Sequence, residues 1–302
     1  MAHVRLPARQ HRSAVQDSTR WGRFEPRGDD IIISTPPKSG TTWTQGIVSS
    51  LLWPAGDAPG ERNDRSPWID ARFAPLDTVL DQLDRQHHRR FIKTHSPADC
   101  APIFEQCRYI TVYRDGRDAL MSWANHRANM RDDLIESLNA SAAREGLRQL
   151  PIWDGDMDEL FDQWEMNCSP TEHLASWWPM RGEEFVCFVH YNDLSADLDG
   201  EMRRIAEFLE IDVPADLWSE TVDRCRLDRM RDEAAQSKRL NMIFEGGAES
   251  FFYKGTNGRW RDGLTQAQLE RYDDMVADEL VTDAAGWLEG GSLATGQRPD
   301  EL

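Results

Sequence analysis

Within residues 30–52 the hydrophobic period changes over ten positions, and that change dictates the local architecture. Ile31, Ile32 and Ile33 form a short continuous apolar run, as a strand buried on both faces does, whereas Ile47, Val48, Leu51 and Leu52 recur at helical spacing. Strand, tight turn and helix therefore follow one another. A strand apolar on both faces needs cover on both, so the predicted fold class is α/β, a central parallel sheet flanked by helices.

The turn reads Ser34-Thr35-Pro36-Pro37-Lys38-Ser39-Gly40-Thr41-Thr42-Trp43. Gly40 tolerates unusual backbone angles, the first helical amides have no intrahelical partner, and the helix N-terminus carries partial positive charge. Lys38 adds a full charge, Ser39, Thr41 and Thr42 add hydroxyls, and Trp43 offers a flat face, which together suit a phosphate or sulfate. The same hydroxyls also serve as an ordinary helix cap. The ATPase loop GxxxxGK[ST] places its Lys after the glycines; here Lys38 precedes Gly40 and no GK[ST] follows, so no magnesium or other metal ligand is predicted.

Three further strand-to-turn segments lie downstream. Phe91-Ile92-Lys93-Thr94-His95-Ser96-Pro97 reads as a strand stopped by Pro97, with Lys93 and His95 near the edge where parallel sheets bind ligands. The run 108–113 is a second buried strand, followed by Arg114-Asp115-Gly116-Arg117-Asp118 and a helix carrying Ser122. The run 185–190 is a third, leading through Tyr191-Asn192-Asp193-Leu194 into a helix with Met202, Ile205 and Leu209 on one face. Near the end stands Tyr253-Lys254-Gly255-Thr256-Asn257-Gly258-Arg259-Trp260. Taken singly, His95 fits a core or surface histidine, Arg114 a solvated turn and Tyr191 a packing residue.

A chain of 302 residues, 39% hydrophobic with twelve Trp, builds one large domain, read here as residues 29–288 between an N-terminal arm (1–28) and a mobile C-terminal tail (289–302). No run approaches the roughly 20 apolar residues of a membrane helix, and no secretory apolar core opens the chain, so no membrane span and a cytoplasmic location are expected. Five cysteines without a CxxC pair predict reduced thiols. With 35 basic against 53 acidic side chains the net charge is -18, which disfavours nucleic acid and anionic membranes. A small anionic cofactor is still admissible, because it feels a local pocket within a Debye length of about 8 Å.

Taken in order, these segments resemble the cytosolic-type sulfotransferase family that uses 3'-phosphoadenosine 5'-phosphosulfate (PAPS), over roughly residues 30–265. The resemblance implies a P-loop-like three-layer sandwich and transfer of a sulfuryl group from PAPS to a hydroxyl or amine of a small acceptor, releasing adenosine 3',5'-bisphosphate. It implies His95 as general base, with Lys38 and Lys93 stabilising developing charge. It assigns the 5'-phosphosulfate to Lys38, Ser39, Gly40, Thr41, Thr42 and Trp43, the 3'-phosphate to Arg114 and Ser122, and adenine to Tyr191. The family motif Arg-Lys-Gly-x-x-Gly-x-Trp matches Tyr253, Lys254, Gly255, Gly258 and Trp260, with Tyr253 in the place of its Arg. Arg261, Thr265 and Glu270 match the family's dimerisation motif in part, Gln266 replacing its Val, so a homodimer is left open. Two other readings stand beside this one: a metal-dependent phosphoryl transferase of P-loop fold, and a nucleotide-binding module without catalysis.

Overall fold

The computed structural model describes residues 4–166, 169–235, 237–251 and 255–302. Strand β1 (Ile31–Ser34) lies between β2 (Phe91–Thr94) and β3 (Arg108–Tyr113), and β4 (Val186–His190) pairs with β3, so the order is β2-β1-β3-β4. All pairings are parallel, with Ile31 opposite both Phe91 and Arg108, and Tyr113 opposite His190. The expected central parallel sheet is therefore present. Buried Asp30, just before β1, takes Nε and Nη2 of buried Arg90, just before β2, at 2.7 and 2.5 Å, which fixes the starts of the two strands together.

Side chains alternate across this sheet as the pleat requires. Ile31, Ile33, Ile110, Val112 and Val189 face α1 (Thr41–Leu52) and α4 (Leu198–Phe208), which supply Ile47, Val48, Leu51, Met202 and Ile205. Ile32, Tyr109, Tyr113 and Phe188 face the other way, into a core built from α2 (Gly116–Asn129), α3 (Pro170–Trp177), α5 (Gln266–Glu279) and α6 (Thr282–Gly290). Each fully buried Ile contributes about 1.5–3 kcal/mol, so the Ile31-Ile32-Ile33 run serves both layers at once.

From β1 the chain goes to β2 on one side and then crosses to β3 on the other, so the strand order reverses across β1. In such a sheet the loops at the carboxyl ends open a crevice at the reversal. Here those loops begin at Thr35, His95 and Arg114.

Both termini depart from expectation. The N-terminal segment is packed: Trp21 and Phe24 meet edge to face at 5.2 Å, Phe24 reaches Phe104, and Ala14 is 1% exposed. Its apolar residues are too widely spaced to show a period, which is why they read as an arm. Beyond Gly290 the chain is also tied down, because Asp193 accepts the Ser292 and Leu293 amides at 2.9 Å and Arg298 pairs with buried Glu201 at 2.7 Å. Among the described residues no helix is long and apolar enough to cross a membrane. Cys100, Cys107, Cys187 and Cys225 are free and buried; Cys168 lies outside the described residues.

Beneath the crevice, His173 of α3 holds the strand ends together. Its Nε2 lies 3.0 Å from Ser34 Oγ and its Nδ1 2.9 Å from the Tyr113 hydroxyl, while Ser34 Oγ donates to the Ser96 carbonyl at 3.0 Å. Burial pushes this imidazole from 6.5 down to about 3. Between those values the unfolded chain binds a proton that the folded one refuses, so stability falls as pH drops from 6.5 towards 3, by up to about 1.4 kcal/mol per pH unit for one group. His173→Gln removes this proton and should be less stable than the parent at pH 7.5 but lose less between pH 7.5 and 5, by about 2 kcal/mol. Urea unfolding at the two pH values reads the difference, and an unchanged pH dependence would assign the proton elsewhere.

Candidate active site

The turn after β1 is shaped by two left-handed residues, Lys38 at φ +68° and Gly40 at φ +116°. A side chain at Gly40 would be strained at that φ, and its Cβ would sit 3.3 Å from Val112 Cγ1 and 3.5 Å from the Tyr191 ring. Gly40 caps α1 without a side-chain hydrogen bond, so the opening amides of the helix are not claimed by a cap residue. Lys38, Gly40, Thr41, Thr42 and Trp43 line a cavity of about 630 Å³. Ser39 does not line it; its hydroxyl is buried without a partner. Thr41 Oγ1 is 2.5 Å from Thr35 Oγ1, and Trp43 donates Nε1 to the Cys225 carbonyl at 2.8 Å.

His95 enters the same cavity from the end of β2. Its Nδ1 lies 2.6 Å from the Thr35 carbonyl, which can only accept, so Nδ1 carries the proton and Nε2 keeps its lone pair. Burial, then the charge of Lys93, holds the imidazole well below its usual value, leaving it neutral near pH 7. A neutral imidazole whose Nε2 carries no proton is chemically a base. The Trp68 ring packs edge-on to His95 at 4.7 Å and lies 4.1 Å from Lys93 Nζ, so one indole positions both groups.

On the far side stand Arg114, Ser122, Tyr191 and Gly255, all lining the cavity. The Arg114 guanidinium lies 4.4 Å from the Tyr191 ring, its Nε and Nη2 donate to Asn257 Oδ1 at 2.9 and 2.6 Å, and Nη2 also donates to the Thr256 carbonyl at 3.0 Å. Tyr191 donates its hydroxyl to the Gly255 carbonyl at 3.2 Å and packs edge-on to Trp43 at 5.1 Å. Tyr253 and Lys254 lie outside the described residues.

Several residues absent from the sequence reading belong to this site. Asp70, fully buried, accepts through Oδ2 from Thr94 and Ser96 hydroxyls at 2.6 Å each, Gln16 Nε2 at 3.0 Å and Trp21 Nε1 at 3.3 Å. It thereby clamps the residues before and after His95. Its signal was a carboxylate inside the apolar run Trp68-Ile69-Asp70-Ala71. His126, four residues beyond Ser122 and so on the same helical face, lies with Nδ1 3.3 Å from Lys38 Nζ, stacked on Trp123 at 5.0 Å. Burial and the Lys38 charge keep His126 neutral, so the ammonium donates to it. Lys38 also lies 4.7 Å from the Phe251 ring.

The residues present fit an anionic nucleotide. Lys38, Lys93 and Arg114 bring positive charge to one cavity, uncapped helical amides adjoin Lys38, and Trp43 and Tyr191 supply aromatic surface. Residues 28–284 match the family described as "Sulfotransferase domain". The chain is 32% identical to a glycolipid sulfotransferase of Mycobacterium bovis, covering 93% of this chain and 94% of that protein. It is 25% identical to sulfotransferase 1 family member D1 of Mus musculus, over 85% of each. Among solved structures it is similar to mouse sulfotransferase SULT7A1 complexed with PAP, with TM-score 0.68 at 20% identity over 89% of this chain and 90% of that one. Retinol dehydratase in complex with retinol and PAP gives TM-score 0.69 at 18% identity, over 87% and 84%. The last two likenesses establish the fold.

Burial, then the charge of Arg114, lowers Lys38 from 10.5 to about 8. Lys38 is therefore charged below that pH and loses its charge above it. Affinity for adenosine 3',5'-bisphosphate should fall as pH rises through about 8, and Lys38→Met should weaken binding at pH 7 while removing this step. Calorimetric titrations across pH 6.5–9.5 measure both; a step that persists in Lys38→Met belongs to another group.

Proposed function

The chain belongs to the sulfotransferase domain family, and from that premise we propose that His95, Lys38 and Lys93 carry out sulfuryl transfer onto an acceptor that has a hydroxyl-bearing head and an extended apolar body. The observation that carries this reading is the continuity of one cavity, in which the turn after β1, the His95 imidazole and an apolar wall face a common space. PAPS, when bound, supplies the activated sulfuryl group, and the solved neighbours titled as PAP complexes support a nucleotide of this kind.

The chain's own residues then have distinct tasks. His95 holds its proton at Nδ1 on the Thr35 carbonyl, so Nε2 takes the proton of the acceptor hydroxyl as that oxygen becomes a nucleophile. Lys38 and Lys93 offer positive charge where negative charge develops. The turn after β1, with Gly40, Thr41, Thr42 and Trp43, holds the 5' end of the nucleotide; Arg114, Ser122 and Gly255 hold its 3' side, with Tyr191 against the base. Ser39, which does not line the cavity, is assigned to the 5' end from the motif alone. Tyr253 and Lys254 are assigned to the 3' side from the motif alone.

The acceptor reading is supported by the remaining wall. Trp68, Phe73, Trp123, Leu150, Phe244 and Phe251 present mostly apolar surface to the cavity, and a relative at 32% identity is named a glycolipid sulfotransferase. Sulfur-labelled PAPS, offered with a glycolipid, its free sugar headgroup and a panel of simple phenols, tests the assignment. Labelled glycolipid is expected, with little label on the free sugar; label on phenols alone overturns the acceptor class. Chelator should leave the rate unchanged, whereas loss of activity restored by magnesium would favour a phosphoryl-transferase reading.

His95→Asn should lower single-turnover sulfation by about 100- to 10,000-fold while adenosine 3',5'-bisphosphate binds nearly as before. Rapid-quench turnover and calorimetry on the same preparation separate the two effects. Near-normal turnover in the variant would remove His95 from the role of base, whereas a parent protein that binds the bisphosphate and shows no turnover would favour a binding module.

A further inference from the structure

The motif that should close on the donor's 3'-phosphate lacks its arginine, because position 253 is Tyr, and a phenol brings a hydrogen bond without a charge. Six residues on, at the position the motif leaves free before Trp260, the chain has Arg259. We propose that Arg259 is the second cation of the 3'-phosphate subsite, acting beside Arg114 and Ser122 to read the phosphate that distinguishes this donor from simpler adenine nucleotides. The inference rests on the PAPS reading above.

The placement follows from how the loop is anchored. Asp118 Oδ1 and Oδ2 accept the Gly258 amide at 2.8 and 2.9 Å, and the Arg259 amide also reaches this carboxylate. Asp118 and Ser122 are one helical turn apart on α2, so they lie on one face. Gly258, at φ +80°, turns the chain at that point. The Arg259 side chain then runs along α2, and its Nη2 comes to 3.5 Å from the Met121 carbonyl, one residue from Ser122. Arg259, Ser122 and Arg114 line the same cavity.

The neighbouring charges favour an added anion. Asp115 is engaged by Arg117 through bonds of 3.0 and 2.8 Å, and the Asp118 carboxylate is occupied by the loop amides. Arg114 meets neutral acceptors on Asn257 and Thr256. The nearby arginines that do not line the cavity are accounted for differently: Arg117 and Arg261 lie against Trp260, at 4.2 and 4.5 Å from its ring. Burial disfavours the charged form of Arg114 most; Tyr191 and Asp118 oppose this, and the charge of Arg259 adds to it, a repulsion that a phosphate between the two guanidinium groups would relieve. Arginine's planar fork of donors matches phosphate oxygens.

Calorimetric affinities for adenosine 3',5'-bisphosphate and adenosine 5'-monophosphate in the wild type, Arg259→Met and Arg259→Lys test the inference. Arg259→Met should lose about 10- to 100-fold in bisphosphate affinity, the worth of one charge-assisted hydrogen bond, while monophosphate affinity changes less than about 2-fold. Arg259→Lys should recover part of the preference. Retained monophosphate binding shows that the variant is folded. A wild type that prefers the bisphosphate together with an Arg259→Met that prefers it equally overturns the role of Arg259 and leaves the donor reading intact. A wild type with no preference overturns the donor reading itself.

Discussion

The hydrogen bond that His95 Nδ1 donates to the Thr35 carbonyl ties this imidazole to the residue that opens the turn after β1, and the parallel sheet makes it available. Because β1 and β2 run the same way in register, with Ser34 opposite Thr94, the residue after each strand emerges on one edge. The bond therefore depends on pairing set several residues earlier, where Asp30 and Arg90 hold the strand starts. Below it, His173 and Asp70 hold the strand ends from two different directions. Little in this arrangement can slide without changing the tautomer presented to the cavity.

Local sequence was sufficient for the sheet because each strand carries its own signal. The runs 31–33, 108–113 and 185–190 are apolar on both faces, and only a covered parallel sheet buries them. His95, Lys38 and Arg114 were legible for a related reason: each stands at the turn just beyond a strand. Asp70, His126 and Asn257 were harder, since their partners lie 24 to 143 residues away and no local period marks such contacts. Ser39 shows the converse, a residue of the right type in the right turn that does not line the cavity. Composition misled for the termini, where isolated anchors such as Trp21 sit in a polar background.

Electrostatics separates the whole molecule from its crevice. A chain of net charge -18 gathers Lys38, Lys93, Arg114 and Arg259 around one cavity, and buries two histidines there in neutral form. Exposed acidic side chains beyond a Debye length are screened, whereas the cations act in lower dielectric at close range. Lys38 shows the balance most clearly. Desolvation brings it close to giving up its proton, while it touches the His126 nitrogen and the Phe251 face.

The N-terminal segment bears on where this protein ends as a physical object. The family match begins at residue 28, yet Gln16 and Trp21 supply two of the four donors to the Asp70 carboxylate, and residues 13–16 form part of the cavity wall. The unit that folds as one therefore extends past the stretch that the family match covers. A chain cut to begin at residue 28 would therefore keep every strand of the sheet and still lose one wall of the cavity and half of the donors that hold the Asp70 carboxylate.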